Sequence, residues 1–146
     1  MNTQEALREY KTEGYEKINE ALRNDYIADE VEVLDSAMSH LTEAAVLYRG
    51  TDFYSMDMDE DEDYTGEIVT DLAYMSTTRK RNLAAGKFYR GLLLEIEVPA
   101  GILAVEPDEI LFENEAEVIL ARGLELEVIN DNCDYDQRVM KVRVVA

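Results

Sequence analysis

The chain of 146 residues is long enough for one domain with a hydrophobic core and too short for two ordinary domains. Its 14 basic and 33 acidic residues give a net charge of −19, which disfavours binding to nucleic acid or to an anionic membrane. No apolar run approaches the ~18 residues of a membrane-spanning helix, and no signal-peptide pattern opens the chain. We therefore expect a cytoplasmic protein whose partners carry basic surfaces.

Cysteine and histidine are too scarce for several common kinds of site. Cys133 is the one cysteine and His40 the one histidine, so an internal disulfide and a zinc site of the Cys/His type are excluded. A serine or cysteine protease-like mechanism would have to use His40, which lies in a helix-like stretch. Neither a G-x-G-x-x-G nor a P-loop pattern occurs, so no sequence motif of the Rossmann or P-loop type is present.

The first third of the chain has helical periodicity. Leu7 and Tyr10 fall on one helical face, and after a break near Gly14 apolar residues recur at steps of three and four. This pattern predicts two or three amphipathic helices in residues 1–45. The predicted apolar positions of the later helices are Tyr15, Ile18, Leu22, Tyr26, Val31, Leu34, Met38 and Leu41.

Short apolar runs bounded by turn residues follow, and they predict a mainly β part over residues 46–146. The clearest strand is "GLLLEIEVPAG", in which Leu94, Ile96 and Val98 share one face and Pro99 ends the run. Other predicted strands are "AVLYRG", "DLAYMSTT", "EAEVILA", "LELEVIN" and "RVMKVRVV". Helices followed by antiparallel-type strands indicate an α+β fold in a single domain.

Two charged segments interrupt the strands. Residues 56–63, "MDMDEDED", form an acidic stretch that predicts a solvated loop, with a calcium site or a docking surface as alternatives. An EF-hand is a poor match, because the sixth and twelfth positions counted from Asp57 are Glu62 and Ile68 instead of glycine and glutamate. The segment "RKRNLAAGKFYR" contains five of the 14 basic residues and is predicted to be a loop.

The stretch "FENEAEVILARG" places Glu113, Glu115 and Glu117 at alternate positions. Residues i and i+2 of a strand point the same way, so such a pair of carboxylates could serve one site. The same spacing occurs at Glu30/Glu32, Glu95/Glu97 and Glu125/Glu127. The spacing alone therefore favours an ordinary solvent-facing row of acids.

Other polar residues become informative through their order along the chain. Arg49 and Gly50 end one predicted strand, and Ser76, Thr77 and Thr78 end another. An arginine can bind a diphosphate with two hydrogen bonds, and a glycine lets a ligand approach the backbone. Taken singly, a strand-end arginine or a row of hydroxyls has an ordinary structural explanation. Their order of arginine, serine and glutamate, each on its own candidate strand, is more specific.

At these positions the chain resembles mono-ADP-ribosyltransferases of the arginine–serine–glutamate class, a group of bacterial toxins and phage enzymes. The helical motif is "YKTEGYEKINEALR", "LYRG" is similar to the arginine strand, and "YMSTT" is similar to the Ser-Thr-Ser strand, with threonine in its last place. Phe112 lies three residues before Glu115, which identifies Glu115 and Glu117 as the Glu-x-Glu pair. The resemblance covers nearly the whole chain and implies N-terminal helices followed by two packed, mainly antiparallel sheets.

The resemblance implies that NAD is a substrate and that no metal is needed. It implies that Glu117 stabilises the oxocarbenium-like transition state formed when nicotinamide leaves, and that Ser76 holds Glu117. It implies that Arg49 binds the NAD phosphates with help from Arg90, and that the Gly50 backbone binds the nicotinamide amide.

The remaining roles implied by the resemblance lie at the edges of the site. Thr77 belongs to the NAD-binding strand end, Phe88 stacks on the nicotinamide ring, and Tyr10 covers the adenosine end. Glu115 faces the incoming nucleophile, and Phe112 contacts the target protein. A glutamate at the Glu115 position is typical of arginine modifiers.

Two alternatives remain open at this point. One is an NAD glycohydrolase of the same fold with no protein target, although hydrolysis alone does not require Glu115. The other is a non-enzymatic acidic binding module, although the set Arg49, Ser76 and Glu117 is then unexplained.

Overall fold

The computed structural model describes residues 2–11, 15–24, 29–53, 56–87, 89–107, 116–134 and 137–145. Three helices come first, followed by strands and one further short helix. The helices are α1 (Thr3–Glu9), α2 (Tyr15–Arg23), α3 (Asp29–Ala37) and α4 (Arg81–Ala85). The strands are β1 (Ser39–His40), β2 (Ala45–Thr51), β3 (Ile68–Asp71), β4 (Met75–Thr78), β5 (Leu92–Val98), β6 (Leu103–Val105), β7 (Glu117–Leu120), β8 (Leu124–Asp134) and β9 (Gln137–Val144).

The helices begin and pack as their sequences indicate. Asn2 caps α1, because its side-chain oxygen accepts a hydrogen bond from the Glu5 backbone N–H at 2.8 Å. The predicted apolar positions of the helices whose side chains are described are buried or partly buried. Six of them, Leu7, Tyr10, Ile18, Leu22, Val31 and Leu34, form a core with Tyr74, Val105 and Ile119. The helices therefore cover one face of the strands.

The hydrogen-bonded strand order is β1-β6-β7-β4-β2-β5-β9-β8-β3, so the described strands form one mixed sheet. Only β5 and β9 pair in parallel, and every other neighbouring pair among the described strands is antiparallel. The expected arrangement of two separate sheets is therefore not found. Strand twist and a register shift between Val128 and Asn130 in β8 let a single sheet curl around its own core.

The core inside the curl is built from the alternating strands. Leu94, Ile96 and Val98 of β5 belong to it, which confirms the alternation that predicts this strand. Leu47 of β2 and Val142 of β9 lie on the same side and belong to the same core. The sheet thus has a core on each face, and the core under the helices includes Val105 of β6 and Ile119 of β7.

Four local predictions are corrected. The helical part ends at Ala37, before the predicted Ala45, and His40 lies in the short strand β1. "DLAYMSTT" is divided between the end of β3 and β4, because Asp71 accepts a hydrogen bond from the Ala73 backbone N–H and turns the chain there. The basic segment contains the helix α4.

None of the described helices combines the length and apolar character that crossing a membrane requires.

Tyr74 joins the helices to the sheet and makes folding stability sensitive to alkaline pH. Its buried hydroxyl donates to Asp35 Oδ1 at 2.5 Å and to the Val31 carbonyl at 3.2 Å. Burial, then the hydrogen bond to Asp35, raises the pKa of Tyr74 above its ordinary value of ~10. As pH rises past ~10 the unfolded chain loses this proton before the folded chain does, so stability falls by up to about 1.4 kcal/mol per pH unit.

The replacement Tyr74→Phe is expected to cost about 1 kcal/mol at pH 7, because one buried hydrogen-bonded hydroxyl is removed. The difference between Tyr74→Phe and the wild type should then shrink between pH 9 and 11, because the variant has no phenol to ionise at this position. Urea unfolding across this range measures both effects. Tyr48→Phe, which removes the hydroxyl group of a half-buried tyrosine, serves as the control. A stability difference between Tyr74→Phe and the wild type that stays constant from pH 9 to 11 would contradict the prediction.

Candidate active site

Arg49, Ser76 and Glu117 lie on three neighbouring strands, β2, β4 and β7, with β4 in the middle. The register sets Tyr48 opposite Thr78 and Thr78 opposite Glu117, so the residues that carry the site are close across the sheet. All three site residues line one cleft of about 1720 Å³, larger than the ~300–1,000 Å³ of ordinary small-molecule pockets. Tyr10, Gly50, Thr77 and Arg90 line the same cleft.

The guanidinium groups of Arg49 and Arg90 are directed to carbonyl groups instead of carboxylates. Arg49 Nη1 donates to the Ser76 carbonyl at 3.2 Å, and its buried Nε has no hydrogen-bond acceptor in the described chain. Arg90 Nη1 donates to the carbonyls of Lys87 and Tyr89 at 3.1 and 2.8 Å. Neither arginine forms an ion pair with a carboxylate of the described residues. The positive charge of both side chains can therefore pair with an anionic ligand.

A chain of hydrogen bonds runs from α2 to Ser76. Asn19 Nδ2 donates to the Tyr10 hydroxyl at 3.1 Å, and this hydroxyl lies 3.0 Å from Ser76 Oγ. Burial raises the pKa of Tyr10, so the phenol keeps its proton at neutral pH. Because the Tyr10 hydroxyl accepts from Asn19, it can use its own proton to donate to Ser76 Oγ. The Ser76 hydroxyl proton is then free to point into the cleft.

Tyr10 forms part of the cleft wall. The side chain is 1% exposed and its ring packs edge-on against Tyr74, with centroids 5.8 Å apart. Its expected role at the adenosine end of NAD stays a prediction. Thr77 also serves the wall, because its buried hydroxyl donates to the Val118 carbonyl at 2.6 Å.

The backbone before Glu117 has an unusual conformation. Ala116 has a φ of 49°, a left-handed conformation that costs a non-glycine residue of order 1 kcal/mol. Its carbonyl accepts a hydrogen bond from the Arg79 backbone N–H at 3.0 Å, which ties this turn to the end of β4. Glu117 starts β7 immediately afterwards. The strained residue therefore fixes how the Glu117 carboxylate enters the cleft.

The cation beside Glu117 is Lys11. Lys11 Nζ lies 3.1 Å from Glu117 Oε1, with only 12% and 13% of the two side chains exposed. The two groups therefore form an ion pair. Ser76, expected to hold Glu117, is hydrogen-bonded through Oγ to Tyr10 in this structure.

Asn19, Arg23 and Asp71 also line the cleft, and no role was expected for them. Arg23 pairs with the buried Asp71 carboxylate at 3.4 Å, while its buried Nε has no acceptor among the described residues. Asn19 and Arg23 belong to the "YKTEGYEKINEALR" motif, so a sequence signal for them existed. Lys11 lies in the same segment, but nothing in the segment predicts its contact with β7, because that contact is made across the fold.

The acidic stretch is exposed, but it is anchored to the rest of the protein. Arg138 donates to the carbonyls of Glu60 and Glu62 at 2.8 Å and to the Asp131 carboxylate at 2.6 and 2.7 Å. Asp57, Asp59 and Glu60 reach the rim of the cleft. Where the chain is described, no group of three metal-ligating side chains is arranged to bind a metal ion.

Of the residues considered for the site, four lie outside the described residues. Phe88, Phe112, Glu113 and Glu115 are in the intervals 88 and 108–115. Their expected roles therefore stay predictions based on sequence. In the sequence, Glu115 is separated from Glu117 by Ala116 alone.

Comparison with known proteins agrees with this geometry. The family model described as ADP-ribosyltransferase exoenzyme matches residues 1–145. The ADP-ribosyltransferase toxin Plx2a from Paenibacillus larvae superposes with a TM-score of 0.83 at 20% identity, covering 99% of this chain and 86% of that one. The Clostridium limosum C3 exoenzyme gives 0.79 at 23% identity, covering 99% and 85%. No curated protein sequence matches significantly.

A third similar structure, C3stau2 from S. aureus with NAD, has a TM-score of 0.77 at 20% identity and covers 98% of this chain and 86% of that one. At these identities the structures establish the fold, an α+β ADP-ribosyltransferase fold. The chain belongs to the ADP-ribosyltransferase exoenzyme family, because the family model matches nearly its whole length. The resemblance found in the sequence is thereby confirmed, and the protein is an enzyme of the class that acts on NAD.

Proposed function

We propose that this protein transfers ADP-ribose from NAD to an arginine side chain of a target protein and releases nicotinamide. The proposal is carried by one observation, the meeting of Arg49, Ser76 and Glu117 from three adjacent strands in a single cleft. The cleft is large enough for a dinucleotide, and the arginine and glutamate supply charges of opposite sign for its two chemically distinct parts.

The diphosphate of NAD binds at Arg49, with Arg90 as a second cation. Both guanidinium groups hold positive charge that no carboxylate of the described chain compensates, and Arg49 Nε is a buried donor in need of an acceptor. A diphosphate meets this need with charge-assisted hydrogen bonds. Gly50 lies in β2 beside Arg49, and its backbone binds the nicotinamide amide while Phe88 stacks on the ring. NAD is consumed as a substrate, and no metal takes part.

In the reaction, the bond between ribose C1′ and the nicotinamide nitrogen breaks, and its electron pair leaves with nicotinamide. The ribose becomes oxocarbenium-like, and the Glu117 carboxylate stabilises it while binding the 2′-hydroxyl. Ser76 positions Glu117, and Tyr10 and Asn19 support Ser76. A guanidine nitrogen of the target then bonds to C1′. Glu115 binds this guanidinium and accepts its proton.

The target has a basic surface around the modified arginine. The whole chain carries a net charge of −19, and acidic side chains of the segment 56–63 border the cleft. A guanidinium-bearing target is attracted to this rim, whereas nucleic acid and anionic membranes are repelled.

The direct test is incubation of the purified protein with NAD labelled in its adenylate half, with and without cell lysate. We expect free nicotinamide and a labelled protein whose modified residue is identified as arginine by mass spectrometry. Nicotinamide release without any labelled protein would support an NAD glycohydrolase instead. An absence of nicotinamide release in both samples would support a non-enzymatic binding module and contradict the proposal.

The replacement Arg49→Lys is expected to raise the KM for NAD by about tenfold with a smaller effect on kcat. Lysine keeps the charge but cannot form the two-pronged contact of a guanidinium with a phosphate. Initial rates of nicotinamide release at varied NAD concentration measure the effect. Arg143→Lys is the matched control, because Arg143 pairs with Glu97 on the surface and does not line the cleft. An unchanged KM in Arg49→Lys would exclude the assigned role.

A further inference from the structure

Lys11 is brought to the catalytic carboxylate by the way α1 ends. Tyr10 and Lys11 extend α1 by a wider turn, and the Tyr10 side chain is locked in place by its contacts with Ser76 and Asn19. The buried Tyr10 therefore fixes where the Lys11 backbone lies in the fold. From there its ammonium reaches Glu117 at 3.1 Å, across the wall of the cleft.

The Lys11–Glu117 pair differs from seven other ion pairs among the described residues in how enclosed its cation is. The Lys11 side chain is 12% exposed, whereas the cations of the other pairs are 24–52% exposed. Solvent-exposed pairs such as Lys141–Glu97 contribute little, because water and salt screen them. An enclosed pair is screened much less, so Lys11 has a strong influence on the charge of Glu117.

Glu117 needs such a partner in order to act. A carboxylate with little solvent access takes up a proton more readily, and a protonated carboxyl group cannot stabilise a ribosyl cation. Other titratable groups among the described residues also line the cleft. Tyr10 is uncharged, and the Arg49 guanidinium is directed to the Ser76 carbonyl. The Asp71 carboxylate is paired with Arg23.

We propose that Lys11 is a positioning residue that keeps Glu117 ionised and directed into the cleft for cleavage of the nicotinamide bond. This inference rests on the proposed role of Glu117 and adds a residue that the Arg49, Ser76 and Glu117 set does not include. Lys11 transfers no proton and forms no bond to NAD. It acts through the charge and orientation of one carboxylate.

The Lys11 ammonium also repels the positive charge of the bound nicotinamide ribosyl unit, but this repulsion is similar before and during bond cleavage. The nicotinamide ribosyl unit of NAD carries a positive charge before the bond breaks, and the ribose carries it in the transition state. The Lys11 ammonium repels both states to a similar extent, so the repulsion affects KM more than kcat. The ionisation of Glu117, in contrast, matters mainly in the transition state.

The test compares the pH dependence of kcat for nicotinamide release in the wild type, Lys11→Met and Lys11→Arg. In Lys11→Met we expect the acid limb of the profile to move about 1 pH unit higher, because the ionised carboxylate has lost its partner. At pH values below both acid limbs, kcat should fall by up to about tenfold, and the deficit should largely disappear about two pH units above the limb of the variant. Lys11→Arg should restore most of the wild-type profile. Lys80→Met, which removes an exposed lysine outside the cleft, is the control.

The outcomes separate this proposal from the one on which it rests. If Glu117→Gln abolishes release while Lys11→Met follows the wild-type profile, or has a higher kcat below the acid limbs, the role of Lys11 is wrong and that of Glu117 stands. If Glu117→Gln retains release, the role of Glu117 is wrong regardless of Lys11. Circular dichroism checks the folding of each variant. If Lys11→Met does not fold, Lys11→Gln provides the same comparison with a neutral polar side chain.

Discussion

Replacing Glu117 with glutamine is expected to lower nicotinamide release by about 10²–10³-fold, with and without a target protein. Glutamine keeps the shape of the side chain but removes the negative charge that faces the developing ribosyl cation. Because this step precedes both hydrolysis and transfer, both activities should fall together. Substrate binding should change less, since the phosphates are held by Arg49.

The measurement is the rate of nicotinamide release from NAD, followed by the labelling of target protein under the same conditions. Glu127→Gln is the matched control, because Glu125 and Glu127 repeat the Glu-x-Glu spacing on β8 outside the cleft. Glu117→Gln also leaves the enclosed Lys11 ammonium without its carboxylate, so unfolding is measured for both variants. Transfer retained in a folded Glu117→Gln would show that this carboxylate is not the catalytic one.

The second large effect is expected at Glu115, and it should affect only one of the two activities. In Glu115→Gln the transfer of ADP-ribose to arginine should fall by about 10²-fold or more, while hydrolysis of NAD continues. A guanidinium has a pKa above about 12 and is a poor nucleophile until a carboxylate binds and polarises it. Water needs no such carboxylate, so it can still capture the ribosyl cation that Glu117 stabilises.

Glu113→Gln is the control for this prediction, because Glu113 lies in the same segment and is assigned no role. It should retain both activities. The ratio of labelled arginine to released nicotinamide, measured for both variants, isolates the transfer step from bond cleavage. Equal loss of hydrolysis and transfer in Glu115→Gln would mean that this residue acts before the nucleophile arrives, and the arginine preference would lose its chemical basis.

The proposed function requires one acidic protein to bind a dinucleotide anion and a cationic target, and the cleft contains charges of both signs. The charges of Arg49 and Arg90 are not paired with a carboxylate of the described residues, because their donors are directed to carbonyl groups. The acidic segment is held by Arg138 through the carbonyls of Glu60 and Glu62. The net charge alone would not indicate where either ligand binds.

The sequence by itself determined the elements whose periodicity is local. Leu7 and Tyr10, Ile18 and Leu22, and the alternating β5 residues were predicted to be buried and are buried, because their spacing follows directly from helix and strand geometry. The order of the arginine, serine and glutamate motifs was sufficient to identify the family, which the family model confirms. Such information is carried by residues close together in the chain.

Only the tertiary structure decided which distant residues meet. Strand pairing sets β4 between β2 and β7, which brings Arg49, Ser76 and Glu117 together although they are far apart in sequence. The contacts of Tyr10 with Ser76 and of Lys11 with Glu117 join the first helix to the sheet. No local pattern encodes these contacts, because they depend on how the helices pack on the sheet. That packing placed Tyr10 in the wall of the cleft and brought Lys11 to Glu117.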